Sequence, residues 1–77
     1  NLQNVIIYPN PTKSILNIEN AENSMIEIYD LLGRVVLSEN NISLNKQLNV
    51  SSLSIGTYLI KISNNGQIKT DKFIINR

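Results

Sequence analysis

The sequence predicts an all-β domain, an antiparallel sandwich of about seven strands. Short apolar runs recur about every ten positions along the 77 residues, and clusters of Asn, Ser, Gly and Pro separate them. No window of about 12 residues places apolar side chains at helical spacing between a cap and a glycine. The intervals between the runs are also too short for the crossover helices that parallel strands require.

Seven runs are the candidate strands, and they are rich in Ile, Leu and Val, a composition that favours strands. They cover residues 5–8, 14–18, 25–29, 34–38, 46–50, 57–63 and 69–75. The first run leads into Pro9-Asn10-Pro11, where the two prolines fix φ and remove two backbone donors. Such a segment cannot extend a β-ladder, so we expect an edge strand to end here. The segment is then either an edge guard or a rigid epitope for a receptor.

Two turns predict hairpins. Asn65-Gly66 lies between the last two runs, and this dipeptide readily takes the two positive φ values of a type I′ turn. Asp30-Leu31-Leu32-Gly33 has the pattern of a type I turn that ends in a left-handed glycine, which pairs the third run with the fourth. We expect one of the two leucines to fold back onto the core and the other to be exposed.

Alternation within the runs assigns the core. The side chains expected to face it are Leu16, Ile18, Ile26, Ile28, Tyr58, Ile60 and Ile62. The last run breaks this alternation, because Phe73, Ile74 and Ile75 are consecutive and all apolar. We therefore expect its outer face to be covered either by the domain itself or by a partner.

Leu53-x-x-Gly56-x-Tyr58 enters the sixth run, which is the place of the tyrosine corner in immunoglobulin-like sandwiches. In that corner the tyrosine hydroxyl bonds to backbone a few residues upstream. The sequence thus predicts an immunoglobulin-like antiparallel β-sandwich of about seven strands, and it predicts structural roles for Gly56 and Tyr58.

Composition argues against most chemical functions. The chain has no Cys and no His, so it lacks thiolate and imidazole metal ligands and the usual base of nucleophilic catalysis. Its carboxylates do not show the spacing of a calcium loop. Seven basic and six acidic residues are spread along the chain, which argues against nucleic-acid binding. We expect no enzyme activity, no catalytic residue, no metal and no cofactor.

No apolar run approaches the roughly 20 residues of a membrane-spanning helix, and the start lacks the pattern of a signal peptide. The chain begins with Asn1 instead of Met. We expect residues 1–77 to be a single domain cut from a longer protein, with residues 1–4 as a linker remnant.

Four motifs occur in a fixed order along the chain. They are Pro9-Asn10-Pro11, the hairpin Ile28-Tyr29-Asp30-Leu31-Leu32-Gly33, the element Leu53-x-x-Gly56-x-Tyr58, and Lys72-Phe73-Ile74-Ile75 close to the end. Over residues 5–77 this pattern resembles the type A C-terminal sorting domain of proteins exported by the type IX (Por) secretion system of Bacteroidetes.

The resemblance implies a module that is recognised and that performs no reaction. It implies a larger cargo protein that crosses the periplasm and the outer membrane and is then secreted or attached to the cell surface. The implied partners are the outer-membrane type IX machinery and a sortase-like cysteine peptidase that cuts in or before residues 1–4. We also expect weak self-association through open sheet edges.

The recognition residues expected from the motifs are Pro9, Asn10, Pro11, Gly33, Gly56, Tyr58, Lys72, Phe73, Ile74 and Ile75. As a hypothesis, residues 72–75 form the docking surface or edge, and Lys72 adds a charge contact. The alternative function is a carbohydrate-binding or adhesive module of a surface protein, which would need exposed aromatic side chains. A spacer or folding cap for a neighbouring domain is a third interpretation.

Overall fold

Seven strands form two packed antiparallel sheets in this computed structural model, which describes residues 2–77. The three-stranded sheet has the order β1-β2-β5, and the four-stranded sheet has the order β4-β3-β6-β7. The strands are β1 (Ile6–Tyr8), β2 (Ile15–Glu19), β3 (Met25–Tyr29), β4 (Val35–Glu39), β5 (Asn45–Asn49), β6 (Gly56–Asn64) and β7 (Gln67–Ile75). All seven expected strands are present, and the predicted sandwich is confirmed.

A single 3-10 turn, Leu2–Asn4, precedes β1 in the described part of the chain. Leu2 is buried, and its backbone N–H donates to Gln67 Oε1 at 3.3 Å. The expected linker, residues 1–4, includes Asn1, which lies outside the described residues. Among residues 2–77, helical structure nowhere reaches the length and apolarity that crossing a bilayer requires.

The core lies between the two sheets, and every second side chain along the strands points into it. Ile26 pairs with Ile62 and Ile28 pairs with Ile60 across β3 and β6, and each of these four side chains is fully buried. The other side chains predicted to face the core are also buried: Leu16, Ile18 and Tyr58. Burial of each Leu or Ile side chain contributes about 1.5–3 kcal/mol to folding.

The turn at Asn65-Gly66 has the predicted type I′ character, with φ of 50° at Asn65 and 82° at Gly66. It joins β6 and β7 into a hairpin of nine paired positions. Asn-Gly adopts two consecutive positive φ angles with little backbone strain, whereas most other residue pairs would be strained there. The turn therefore fixes the register of the hairpin.

The turn of residues 30–33 is also as predicted, because the Gly33 N–H donates to the Asp30 carbonyl at 3.0 Å and Gly33 has a φ of 85°. The expectation that one of its leucines folds back is wrong. Leu31 is 71% exposed and Leu32 is 79% exposed. The tight turn places both at its tip, beyond Ile28, which is the last buried position of β3.

Candidate functional site

The four sequence motifs lie at one end of the sandwich. Strand register shows this: Gly56 at the start of β6 faces Ile75 at the end of β7, and Tyr29 at the end of β3 faces Leu59. The segment after Pro11 lies at the same end, because Thr12 forms an isolated parallel β-bridge with Ile75. We call this region the motif end and define it as residues 9–13, 30–34, 53–58 and 72–77.

The first and last motifs are in direct contact. Asn10 Oδ1 accepts a hydrogen bond from the Ile74 N–H at 3.0 Å, and Asn10 Nδ2 donates to the Lys72 carbonyl at 3.3 Å. Thr12 continues this contact, because its N–H donates to the Ile74 carbonyl at 2.9 Å and its carbonyl accepts from the Asn76 N–H at 2.9 Å. Residues 10–12 therefore cover the terminal part of the β7 edge.

The second and third motifs also lie side by side. The hairpin turn and the loop before β6 line one surface groove, which includes Leu31, Arg34, Ile55 and Tyr58. Ile55 is 63% exposed, so it joins the two turn leucines as a solvent-facing aliphatic side chain. Leu31 and Ile55 both line the groove, and Leu32 follows Leu31 at the tip of the turn.

Tyr58 forms the predicted tyrosine corner. Its hydroxyl donates to the Ser54 carbonyl at 2.7 Å, four residues upstream. Its ring stacks on Phe73 with centroids 5.7 Å apart and an interplanar angle of 25°. Tyr58 thus joins the loop before β6 to the inner face of β7, and its role in the fold is the structural one expected from the sequence.

Arg77 connects the end of the chain to the same loop. Its Nη1 donates to the Leu53 carbonyl at 2.9 Å, and its Nη2 donates to the Val50 carbonyl at 3.0 Å. Neither Arg77 nor Thr12 is among the recognition residues predicted from the motifs. A terminal arginine has no pattern that distinguishes it from a solvated charge, so no sequence signal identified this contact.

Asp30 organises the hairpin turn electrostatically. Its Oδ1 accepts from the N–H groups of Leu32 at 2.9 Å and Arg34 at 3.0 Å, and its Oδ2 lies 2.7 Å from Arg34 Nε. The hydrogen bond from the Arg34 backbone is the main cause that lowers the pKa of Asp30 below its ordinary value of 3.8. The turn is therefore held by a charged acceptor.

The predicted recognition residues divide by exposure. Phe73 and Ile75 are buried in the core with Tyr58, whereas Ile74 is 40% exposed on the outer face of the sheet and Lys72 is also exposed. The remaining five are exposed at turns or in the segment that follows β1: Pro9, Asn10, Pro11, Gly33 and Gly56. A partner therefore has direct access to Lys72 and Ile74 but not to the two side chains beside them.

The start of the described chain lies at the opposite end. Leu2 lines a groove with Gln67 and Ile68, which belong to the first residues of β7. Because β7 has nine residues, about 27 Å separates its two ends. This distance is most of the longest dimension of the molecule, 32 Å.

Away from the motif end, the described residues form no metal site, and the tyrosine hydroxyls are hydrogen-bonded. Within residues 2–77 no three metal-ligating side chains come together. On the three-stranded sheet, the Tyr8 hydroxyl donates to the Glu19 carboxylate, and this bond is the main cause that raises the pKa of Tyr8 above 10.0. The Tyr29 hydroxyl donates to Glu27 at 3.0 Å. All three tyrosine hydroxyls therefore have partners within the domain.

Comparison with solved structures supports the fold. The chain superposes with a TM-score of 0.77 and 19% identity on PorZ of Porphyromonas gingivalis, an essential surface component of the type IX secretion system of that bacterium. The alignment covers 99% of this chain and 12% of PorZ, so the chain corresponds to a small part of that protein. No curated protein matches the sequence.

The sequence also matches a family model over residues 6–76, nearly its whole length, and that model describes a secretion system C-terminal sorting domain. All four motifs fall within the matched region. The chain therefore belongs to the family of secretion system C-terminal sorting domains, signals that mark proteins for type IX export to the cell surface or for release.

Proposed function

We propose that the motif end is the surface that the outer-membrane type IX machinery recognises. The observation that carries this proposal is the convergence of the four motifs, distant in sequence, on one end of the sandwich. That end lies opposite Leu2, where cargo would join the domain. A receptor bound there would therefore be directed away from the cargo.

Charge and apolarity indicate which partner surface would fit. The motif end contains four of the seven basic residues and one of the six acidic residues of the chain. The acidic residue, Asp30, is already paired with Arg34 at 2.7 Å. Together with the exposed Leu31, Leu32 and Ile55, this composition is complementary to an acidic surface that contains apolar pockets.

The proposal includes a larger cargo and a processing step. Cargo would precede residue 2, and a sortase-like cysteine peptidase would cut in or before residues 1–4. This region lies about 27 Å from the motif end, so a receptor and a peptidase could be bound at the same time. In this scheme the domain is a substrate and a signal, and it has no catalytic activity.

Weak self-association is a further part of the proposal. Asn10 and Thr12 cover the terminal part of the β7 edge, and Pro9 follows β1. The β4 edge has no such cover within residues 2–77, and it carries the exposed Val35 and Val36. β5 is the edge of the other sheet, but its exposed side chains are polar: Asn45, Gln47 and Asn49. An open apolar edge pairs readily with a second strand, so we expect a dimer to form through β4.

The alternative of a carbohydrate-binding or adhesive module has less support. Sugar sites use exposed aromatic rings, and the Tyr58 and Phe73 rings are stacked in the core. Tyr8 is the best candidate on the surface, but its hydroxyl is already bonded to Glu19. A glycan array with the isolated domain tests this alternative, and specific retention of one sugar class would favour it.

A reporter fusion tests the main proposal. An inert secreted reporter with this chain at its carboxy terminus should reach the surface of a bacterium that has the type IX system. The triple variant Leu31→Ser, Leu32→Ser, Ile55→Ser should reduce export at least tenfold, because it removes the exposed apolar surface of the motif end. Ile68→Ser is the matched control, since Ile68 is 62% exposed at the opposite end. Equal export of the two variants would refute recognition at the motif end.

A further inference from the structure

Arg77 holds one loop through two carbonyl groups. The loop joins β5 to β6, and it contains both acceptors of the Arg77 guanidinium, Val50 O at 3.0 Å and Leu53 O at 2.9 Å. A guanidinium presents several N–H donors in one rigid plane, so a contact of this kind fixes direction as well as distance. Ile55, an exposed aliphatic side chain of the groove, lies two residues after Leu53.

Most other hydrogen bonds of this loop are local or lie at its ends. The Leu53 N–H donates to the Val50 carbonyl at 3.0 Å, and the Ser51 N–H donates to Asn49 Oδ1 at 2.9 Å, both within the local chain. The contact from Tyr58 to Ser54 holds the side of the loop that leads into β6. On the other side of Ser54, the Val50 N–H donates to the Ser14 carbonyl at 2.8 Å and Leu53 packs against the core. Arg77 adds two long-range bonds to this side of the loop, one of them to the Leu53 carbonyl.

The backbone just before Arg77 is itself held in place. The Asn76 N–H donates to the Thr12 carbonyl at 2.9 Å, on the same segment whose Asn10 side chain covers the β7 edge. The guanidinium therefore reaches the loop from a fixed position. Through these bonds the first, third and fourth motifs depend on one another.

We propose that Arg77 is a positioning residue that sets the loop of residues 51–55 so that Ile55 lies beside Leu31 in the groove. This inference rests on the proposed recognition at the motif end. Its consequence is that a receptor at the motif end responds to the Arg77 guanidinium through the shape of the loop. Arg77 lies outside the buried core, so its removal alters the loop and leaves the packing of Phe73 and Ile75 intact.

The test compares Arg77→Gln and Arg77→Lys with Lys13→Gln. Lys13 is an exposed cation of the same end, and its removal is a control for the loss of charge. Amide hydrogen exchange of residues 51–56 in the 77-residue chain should rise about tenfold in Arg77→Gln, because both loop contacts are lost. Arg77→Lys should show most of this rise, since an ammonium cannot present the planar pair of donors. Lys13→Gln should show none.

Export of the reporter fusion gives the second measurement. Arg77→Gln should lower export by a factor of three or more while the denaturant midpoint stays close to that of the parent chain. Unchanged exchange in the loop would overturn the positioning role, and so would faster exchange with normal export. Either result leaves recognition at the motif end to be judged by the Leu31, Leu32 and Ile55 triple variant, so the two failures are distinguishable.

Discussion

The Asn10 side chain forms the hydrogen bonds of a neighbouring strand on the edge of β7. Its Oδ1 accepts from the Ile74 N–H at 3.0 Å, and its Nδ2 donates to the Lys72 carbonyl at 3.3 Å. The two flanking prolines have no backbone N–H to offer, so the side-chain amide supplies the donor and acceptor. The Pro-Asn-Pro segment therefore covers the edge of the last strand and also ends the first one.

Substitution of Asn10 should weaken the domain without unfolding it. Asn10→Ala removes both hydrogen bonds and should reduce the free energy of unfolding by about 1–2 kcal/mol. Asn10→Asp keeps the acceptor for Ile74 but places a carboxylate oxygen against the Lys72 carbonyl, so we expect a loss of similar size. For a domain of this length, about 1 kcal/mol lowers the Tm by roughly 4–8 °C.

Asn40→Asp is the control for the change of charge, because Asn40 is exposed and remote from β7. Its Tm should remain within about 2 °C of the parent chain. Equal Tm values for the Asn10 and Asn40 variants would contradict the strand-like role of the Asn10 amide.

Much of the fold was predictable, because alternation and turn chemistry are local signals. The two-residue alternation of strands alone predicts that four isoleucines lie in the core: Ile26, Ile28, Ile60 and Ile62. The Asn65-Gly66 turn predicts the hairpin of β6 and β7. The tyrosine corner followed from the spacing of three residues. These elements each depend on residues that are close together in the chain.

The contacts of the candidate site were not predictable in the same way. Asn10 bonds to Ile74 across 64 positions, and Arg77 bonds to Leu53 across 24. A side chain that bonds to distant backbone produces no periodic pattern, because nearly every residue offers the same backbone donor and acceptor. The exposure of both turn leucines was missed for a related reason: apolar character alone does not show whether core surface lies beneath a turn.

Loss of the Tyr58 hydroxyl should destabilise the folded domain. Tyr58→Phe leaves the ring in the core but removes the donor to the Ser54 carbonyl. We expect the free energy of unfolding to fall by about 1–2 kcal/mol, as measured by urea denaturation. Tyr29→Phe is the matched control, because its hydroxyl bonds to Glu27 on the sheet surface and its loss should cost less. A Tyr29 effect equal to or larger than that of Tyr58 would argue against the corner.

Acid should weaken the hairpin turn through Asp30. The pKa of this carboxyl is lowered in the folded domain, mainly by the Arg34 backbone N–H, so its ionised form favours folding. This contribution is fully present above the ordinary pKa of 3.8 and is lost as the pH falls through the lower folded pKa. Asp30→Asn keeps an acceptor oxygen but has no charge to titrate. Urea midpoints should therefore fall less steeply below about pH 4 in Asp30→Asn than in the parent chain. Parallel curves would contradict this role.

Single substitutions in β7 separate folding from docking, which deletion of residues 73–77 cannot do. That deletion removes the buried Phe73 and Ile75, so loss of export would follow from unfolding alone. Phe73→Ala should lower the free energy of unfolding by about 3–5 kcal/mol, a large part of the total for a domain of this size. It should therefore abolish both the folded signal and export.

Ile74→Ser changes an outward side chain that is 40% exposed, so the free energy of unfolding should change by less than about 1 kcal/mol. Reduced export by folded Ile74→Ser would show that the outer face of β7 contributes to docking. Normal export by this variant would refute the hypothesis that residues 72–75 form a docking surface, and the last strand would then act through the core and the contacts of Asn10.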